Sequence, residues 1–226
     1  MTKTGFYRIG LAAAILSTLG WIAFIVAGNP SYAGLSGLEL FQAWQNDRVG
    51  WLLYGWGGVF GALLSIPYFQ VFHHALKDKV PVSSMVTTTA IIGCVLTAIG
   101  FFAALVMIYA WVPAALEASP ETLPTIEVVT QYAADIFEVP WWIGSFMVYC
   151  LGVGLMAYYA WRTDTGPRWV NIVGIVGGLS GIIWLRYFFR ALYAWELIGS
   201  IINILAVTVW AIGLSVVLLR AEARNS

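Results

Sequence analysis

Long apolar stretches, separated by short polar connections, dominate the pattern of this chain. Six of them approach the length of about 20 predominantly apolar residues that a membrane helix needs, because lipid offers no partner to an exposed backbone amide or carbonyl. None contains Asp, Glu, Lys or Arg. The six stretches cover approximately residues 10–27, 51–72, 90–111, 141–161, 169–185 and 197–219. The pattern predicts an all-α polytopic membrane protein, a six-transmembrane-helix bundle that forms a single transmembrane domain over residues 1–226.

The first long connection contains a helix signal. Ser36 and Glu39 match a capping box, and Leu38, Phe41 and Trp44 then recur at helical spacing. This spacing predicts a short amphipathic helix lying at the outer surface. Two roles are open for it: a cap that seals the mouth of the bundle, or a mobile lid over a binding site.

The second long connection has the same character after Pro124. One face of the predicted helix carries Ile126, Val129, Ala133, Ile136 and Phe137. The other positions carry Glu127, Thr130, Gln131, Asp135 and Glu138. We therefore predict a second short amphipathic helix at the outer surface, with the same two roles open.

Lysine and arginine sort to one side of the predicted spans. The flanks on that side hold eight cations and three acids: Lys3, Arg8, Lys77, Lys79, Arg162, Arg168, Arg220 and Arg224, with Asp78, Asp164 and Glu222. The flanks on the other side hold eight acids and three cations, Arg48, Arg186 and Arg190. Because cytoplasmic loops carry the excess of Lys and Arg, both termini are predicted to be cytoplasmic.

The first stretch has an alternative interpretation as a secretory signal. Lys3 and Arg8 precede it, and Ser31-Tyr32-Ala33 resembles a small-x-small cleavage site. The apolar run exceeds the length of about 7–15 residues that is usual for such a signal. A retained first span is therefore the prediction, and cleavage of residues 1–33, which would leave five spans, is the alternative.

Tryptophan positions agree with the predicted span ends. Six tryptophans lie near outer ends and two near inner ends, where an indole meets both lipid and headgroups: Trp51, Trp111, Trp141, Trp142, Trp184 and Trp195 outside, Trp161 and Trp169 inside. Three others, Trp21, Trp56 and Trp210, lie deeper and are predicted to pack.

Glycine and proline mark two of the spans. The segments Gly57–Gly61 and Gly177–Gly181 share a GGxxG pattern, which allows helix backbones to approach closely. Packing is the simpler interpretation, and an inverted repeat of three plus three spans is the alternative. Pro67 is predicted to kink the second span.

Composition supports the membrane class and excludes several activities. The chain is 61% hydrophobic and 10% charged, with no net charge, so nothing indicates a nucleic-acid partner. Cys94 and Cys150 lie in apolar runs outside any CxxC pair, which suggests neither redox chemistry nor zinc. The spans contain no lysine for a retinal Schiff base and no motif for covalent catalysis.

The two histidines, His73 and His74, are adjacent in the sequence. Neighbouring side chains on a helix diverge by about 100°, so both cannot ligate one metal or haem. A haem shared between identical subunits is the remaining possibility. The sequence thus contains no motif for a metal, haem or retinal, and the cofactor is left unassigned.

One charged group of residues lies near the outer ends of the last two spans. Arg186 and Arg190 are four residues apart, which places both on one helix face. The residues proposed to surround or pair with them are Tyr193, Trp195, Glu196, Asp135 and Glu138. The group is interpreted either as a rim of ion pairs or as an outward-facing site for an anion or carboxylate, which arginine binds bidentately.

Three segments resemble a family of bacterial six-span membrane proteins of unknown function. They are Trp51–Lys79, the sequence Pro167-Arg168-Trp169 that leads into the glycine-rich Asn171–Ile183, and the last span from Glu196 through Trp210-Ala211-Ile212-Gly213 to Arg220. The resemblance implies the six-span architecture and a bacterial cytoplasmic membrane.

The resulting functional prediction is a non-enzymatic, multi-pass membrane component. It is expected to bind a lipid-like or small amphiphilic ligand, or to dock beside a larger membrane complex. Its expected partners are membrane lipids and either further copies of itself or a larger complex. The first alternative is a small transporter or sensor using the Arg186 and Arg190 site, and the second is a membrane-embedded enzyme.

Overall fold

The computed structural model describes residues 3–27, 35–185, 189, 192 and 195–225, except for the side chains of residues 196, 197 and 225. The described residues form helices and turns without a strand. The α-helices are α1 (Lys3–Ala27), α2 (Gly37–Asn46), α3 (Arg48–Leu63), α4 (Ser65–Leu76), α5 (Ser83–Val106), α6 (Val112–Leu116), α7 (Leu123–Phe146), α8 (Leu155–Arg162), α9 (Arg168–Ser180) and α10 (Glu196–Asn225). The predicted all-α class is confirmed.

Six helical stretches in the described part of the chain are long and apolar enough to cross a membrane. In chain order, spans 1 to 6 are Lys3–Ala27, Arg48–Leu76, Ser83–Leu116, Leu123–Arg162, Arg168–Leu185 and Ile198–Arg224. Each overlaps one of the six predicted stretches, so their number and order are as predicted. Their orientation in a membrane stays a prediction.

Spans 2 to 5 combine shorter helices through local irregularities. A π-helical segment, Met107–Trp111, joins α5 to α6 in span 3, and a second one, Met147–Gly154, joins α7 to α8 in span 4. Span 5 ends in a 3₁₀ turn, Gly181–Leu185. Such segments widen or tighten a helix locally and redirect the side chains that follow.

Span 2 is interrupted between α3 and α4, just before Pro67, as the sequence predicts. Two hydroxyls satisfy the backbone there. Ser17 Oγ of α1 donates to the Gly61 carbonyl at 2.7 Å, and Ser65 Oγ donates to the same carbonyl at 2.8 Å. The interruption is therefore stabilised from the neighbouring span as well as from its own helix.

Glycines allow backbone contact at two helix crossings. A Cβ added to Gly20 of α1 would lie 2.6 Å from the Gly61 nitrogen and 2.9 Å from the Gly57 carbonyl oxygen of α3. A Cβ added to Gly144 of α7 would lie 2.6 Å from the Gly93 carbonyl oxygen of α5. These distances are too short for any side chain, so spans 1 and 2, and spans 3 and 4, touch through their backbones.

The second GGxxG segment packs in the same way. Gly178 lies against the backbone of Gly154, and a Cβ on Gly181 would meet Tyr149 at 2.8 Å. Asn203 of α10 donates through Nδ2 to the Gly177 carbonyl at 2.7 Å. Close packing therefore accounts for the glycines of span 5, while the inverted repeat stays a prediction.

We call the end of the bundle that carries Lys77, Lys79, Arg162, Arg168 and Arg220 the basic end, and the opposite end the cavity end. At the basic end, Lys79 Nζ donates to Thr165 Oγ1 at 3.0 Å. Asn171 Nδ2, buried in α9, donates to the Thr165 carbonyl at 3.0 Å. These bonds connect two of the short basic loops to each other and to span 5.

The first long connection contains the predicted helix, α2. Its Phe41 is fully buried against Ile108, Val112 and Ala115 of span 3. Ser36 is the N-cap residue, but its side chain makes no capping hydrogen bond, so the predicted capping box does not form. Whether α2 lies at the surface of a membrane stays a prediction.

The second long connection differs from the prediction of a separate short helix. The helix α7 runs without interruption through Pro140 into the apolar part of span 4. A proline inside a helix usually kinks or breaks it, but here the helical spacing of the connection continues in phase into the span. The segment is consequently part of span 4 rather than a separate helix.

Candidate functional site

A cavity of about 550 Å³ lies at the cavity end, between α2, α3, α5 and α7. Its lining combines aromatic, small and polar residues: Leu35, Leu40, Phe41, Trp44, Trp51, Tyr54, Gly100, Phe101, Ala103, Ala104, Met107, Glu127, Thr130, Gln131, Ala134, Glu138, Trp141 and Trp142. Its volume falls within the range of about 300–1,000 Å³ that is typical of pockets for small molecules.

Seven of the eighteen lining residues are aromatic, and their rings contact one another. The ring centroids of Trp44 and Trp51 are 5.9 Å apart, and those of Trp51 and Tyr54 are 5.8 Å apart. At the floor, Trp141 and Trp142 stack with centroids 4.1 Å apart and planes 27° from parallel. Such contacts fix the rings in place, so the wall is a preformed apolar surface.

The polar side chains of the lining all come from one face of α7. Glu127, Gln131, Ala134, Glu138 and Trp141 follow one another at spacings of three or four residues. These spacings align side chains along a helix. The cavity therefore has a narrow polar strip on α7 beside its aromatic rings.

The opposite face of the same segment is apolar and exposed. Val128, Val129, Tyr132 and Ile136 each expose more than half of their surface. Of the predicted polar positions, Glu127, Thr130, Gln131 and Glu138 line the cavity, whereas Asp135 is exposed among the apolar side chains. Gln131 and Glu138 also remain exposed.

Glu127 also connects α7 to α2. Its Oε2 lies 3.9 Å from the position that a Cβ of Gly37 would occupy, in the first turn of α2. A carboxylate is stabilised next to the N-terminal turn of a helix, where backbone N–H groups lack partners. The Glu127 carboxylate thus lies where the first turn of α2 favours a negative charge.

Negative charge predominates around the cavity. The described lining includes Glu127 and Glu138 but no Lys, Arg or His. The guanidinium of Arg48, at the start of α3, lies over the ring of Tyr109 at 5.7 Å from its centroid. Over the whole sequence, the connections at this end carry eight acids and three arginines.

The depth of the cavity follows from helix length. Gly100, at the floor, lies about 25 Å along α5 from Ser83, at a rise of about 1.5 Å per residue. Trp142 lies about 30 Å from Arg162 along span 4 by the same measure. The hydrocarbon of a bilayer is about 30 Å thick, so a bilayer with one boundary near Ser83 and Arg162 would have its other boundary near the cavity floor; this placement stays a prediction.

The predicted arginine group is only partly described. Arg186, Arg190 and Tyr193 lie outside the described residues, as does the side chain of Glu196, the first residue of α10. Trp195 is 62% exposed. The arginine site therefore stays a prediction.

The two predicted acidic partners differ in their surroundings. Asp135 is exposed and is not part of the cavity lining, whereas Glu138 is a lining residue. Of the predicted site residues, Glu138 is thus the one that the structure connects to the cavity.

Several tryptophans predicted to form a belt at the outer boundary are buried. Trp141, Trp142 and Trp184 each expose less than a tenth of their surface. The Trp184 ring lies 5.8 Å from that of Trp142, and its Nε1 donates to Asn203 Oδ1 at 3.1 Å. These residues build the cavity floor and its support rather than a lipid-facing belt, a role that spacing alone does not distinguish.

The histidines have separate environments. His73 Nδ1 is 3.1 Å from Ser83 Oγ, and the His74 ring lies 5.4 Å from that of Phe6. Within the described ranges, no group of three or more His, Cys, Asp or Glu residues is arranged to hold a metal ion.

Comparison with known proteins adds nothing to this description of the site. Comparisons of the chain with models of known protein families, with curated proteins and with solved structures find no match.

Proposed function

We propose that this chain is a multi-pass protein of the bacterial cytoplasmic membrane, a non-enzymatic component that binds a small amphiphilic molecule in the cavity. The observation that carries the proposal is the mixed lining, in which aromatic rings from α2, α3, α5 and α7 adjoin the polar strip of α7. An amphiphile needs both surfaces at once, since its apolar body gains from burial and its head group needs polar partners.

The depth of the cavity supports a ligand of this kind. A floor near the hydrocarbon boundary and walls beyond it match the level of a bilayer at which amphiphiles concentrate. Ile136, which exposes 65% of its surface, lies about 9 Å from Trp142 along α7, at a rise of about 1.5 Å per residue. The outside of the wall nearest the floor is therefore within reach of lipid head groups.

The charge distribution supports an orientation in which the basic end of the bundle faces the cytoplasm. The basic end carries the excess of Lys and Arg, which favours the cytoplasmic side, with both chain termini. The cavity then opens on the outer side of the membrane. A ligand would be drawn from the outer leaflet or from the solution beyond it.

The lining favours binding over catalysis. Among the described residues, the lining contains no Ser, Cys or His, and its one threonine, Thr130, is buried and donates its hydroxyl to the Ile126 carbonyl at 2.7 Å.

Filling the cavity is expected to remove the bound molecule. Ala134 lies in the lining on α7, so an Ala134→Phe substitution adds a ring to the cavity space. Native mass spectrometry of the wild-type protein, purified in mild detergent, should reveal a bound amphiphile. The variant should retain at least about tenfold less of it, which corresponds to about 1.4 kcal/mol of binding free energy.

The matched control is Ala110→Phe, because Ala110 is exposed and does not line the cavity. This variant should retain the bound molecule as the wild type does. Equal amounts in all three proteins, or no bound amphiphile in the wild type at any detergent concentration that keeps the fold, would refute the proposal.

A further inference from the structure

Building on the proposed binding function, we infer that the cavity selects a cationic amphiphile, one whose head is an organic ammonium group such as trialkylammonium. Three features of the cavity carry this inference: the faces of its aromatic rings, its carboxylates, and the lack of cationic side chains in its described lining.

The aromatic wall provides the surface that an organic ammonium group prefers. A ring face carries negative electrostatic potential, and indole attracts a cation more strongly than phenol or benzene. Four of the lining residues are tryptophans: Trp44, Trp51, Trp141 and Trp142. Quaternary ammonium groups are bound in such aromatic cages because they combine a positive charge with an apolar surface.

Carboxylates lie next to this aromatic surface. Glu138 precedes Trp141 and Trp142 by three and four residues on α7, so the three side chains share one helix face. Glu127 lies about 17 Å farther along the helix, at a rise of about 1.5 Å per residue, beside the first turn of α2. A cation entering past α2 thus meets a carboxylate before it reaches the tryptophan floor and another one beside the floor.

The surroundings reinforce this preference at longer range. Eight acids and three arginines occupy the connections of the cavity end, so this end is negative whatever ion pairs form within it. A negative potential raises the local concentration of cations and lowers that of anions. A neutral amphiphile would gain binding free energy from the aromatic wall but none from this negative potential.

Three soluble probes that share a benzene ring separate these possibilities. Benzyltrimethylammonium is cationic, benzyl alcohol is neutral and benzenesulfonate is anionic. We expect the cation to quench the intrinsic tryptophan fluorescence of the protein in maltoside micelles with an affinity at least about tenfold above that of benzyl alcohol. Benzenesulfonate should bind more weakly than either, and salt should weaken the binding of the cation alone.

Substitutions identify the groups responsible. Glu127→Gln and Glu138→Gln should each lower the affinity for benzyltrimethylammonium severalfold and leave that for benzyl alcohol unchanged. Glu121→Gln is the matched control, because Glu121 is an exposed acid of the same end outside the lining. Trp44→Phe should keep most of the cation affinity, and Trp44→Leu should lose it, since only the former retains a ring face.

The source of the ammonium group is a separate outcome. In nanodiscs with a fixed fraction of anionic phosphatidylglycerol, replacing a neutral glycolipid with phosphatidylcholine should raise the apparent Kd for benzyltrimethylammonium if a lipid head group is the ligand. The Kd should stay constant if the ligand is a free solute.

Equal affinities for the three probes, tighter binding of benzenesulfonate, or no binding of benzyltrimethylammonium would overturn the inference on charge. The proposed function fails separately, if Ala134→Phe leaves the amount of bound amphiphile unchanged.

Discussion

Replacing Gly144 with alanine is expected to force spans 3 and 4 apart and to lower the stability of the purified protein. The new Cβ would lie 2.6 Å from the carbonyl oxygen of Gly93 and 2.6 Å from the backbone nitrogen of Thr97. Backbone atoms cannot move aside as a side chain can, so the two helices must separate. Overpacking of this kind costs about 1–3 kcal/mol, and occasionally more.

The loss should extend to the cavity. Gly144 lies one turn below the stacked Trp141 and Trp142, and Gly100 packs against Trp141. Separation of α5 from α7 would therefore open the cavity floor. Thermal unfolding in detergent, followed by tryptophan fluorescence, should show a lower midpoint together with a loss of bound amphiphile.

Gly213→Ala is the matched control for this experiment. A Cβ at Gly213 would meet the side chain of Val170 at 3.3 Å, a contact that a small shift of the valine relieves. This variant should melt within a few degrees of the wild type. If Gly144→Ala is as stable as Gly213→Ala, the backbone contact between spans 3 and 4 is wrong.

Replacing Trp210 with alanine is expected to cause the largest loss of stability from a single side chain. Trp210 is fully buried in α10. Its ring lies 4.7 Å from that of Phe72 in span 2, and its indole packs directly on Gly174 in span 5. Truncation removes an indole that connects three spans and leaves a large void, which costs about 3–5 kcal/mol in cores of this density.

A second tryptophan to alanine substitution serves as the control. Trp169, at the start of α9, is 61% exposed, so its truncation leaves no void. Chemical unfolding of both variants should show a clear decrease in the free energy of unfolding for Trp210→Ala and little change for Trp169→Ala. Equal decreases would mean that Trp210 does not hold the spans together.

The spans were predictable because lipid imposes a simple rule on sequence. A backbone in hydrocarbon must satisfy its own hydrogen bonds, so long uncharged stretches define helices regardless of how they pack. Packing glycines were predictable for a related reason, because Gly57 and Gly61 occur where only small residues permit close approach. The interruption of span 2 was likewise predictable from Pro67.

The cavity was harder to predict because it depends on which faces of distant segments meet. Trp44 belongs to α2 and Trp141 to α7, and no spacing in the sequence relates them. The nearest signal was the continuous series Glu127, Gln131 and Glu138, which remains in helical phase with Trp141. Following that phase across Pro140 would have placed the acids on the face of the tryptophans.

The burial of the tryptophans was likewise only partly predictable from the sequence. Trp21 and Trp210 are buried, as their depth in the spans predicts. Trp56 lies equally deep, but it is 37% exposed and packs on Phe60 and Phe102 at the surface of the bundle. Depth along a helix does not determine the direction of a side chain around it, since lipid accommodates indole as readily as a protein core does.

The orientation of the bundle is the claim on which the outward-facing cavity depends, and cysteine labelling tests it most directly. In a background with Cys94 and Cys150 replaced by alanine, single cysteines are introduced as Ser119→Cys at the cavity end and Asp78→Cys at the basic end, both at exposed positions. A membrane-impermeant maleimide applied to intact cells should label Ser119→Cys. It should label Asp78→Cys only after the membrane is permeabilised. Labelling of Asp78→Cys in intact cells, with Ser119→Cys protected, would contradict the account.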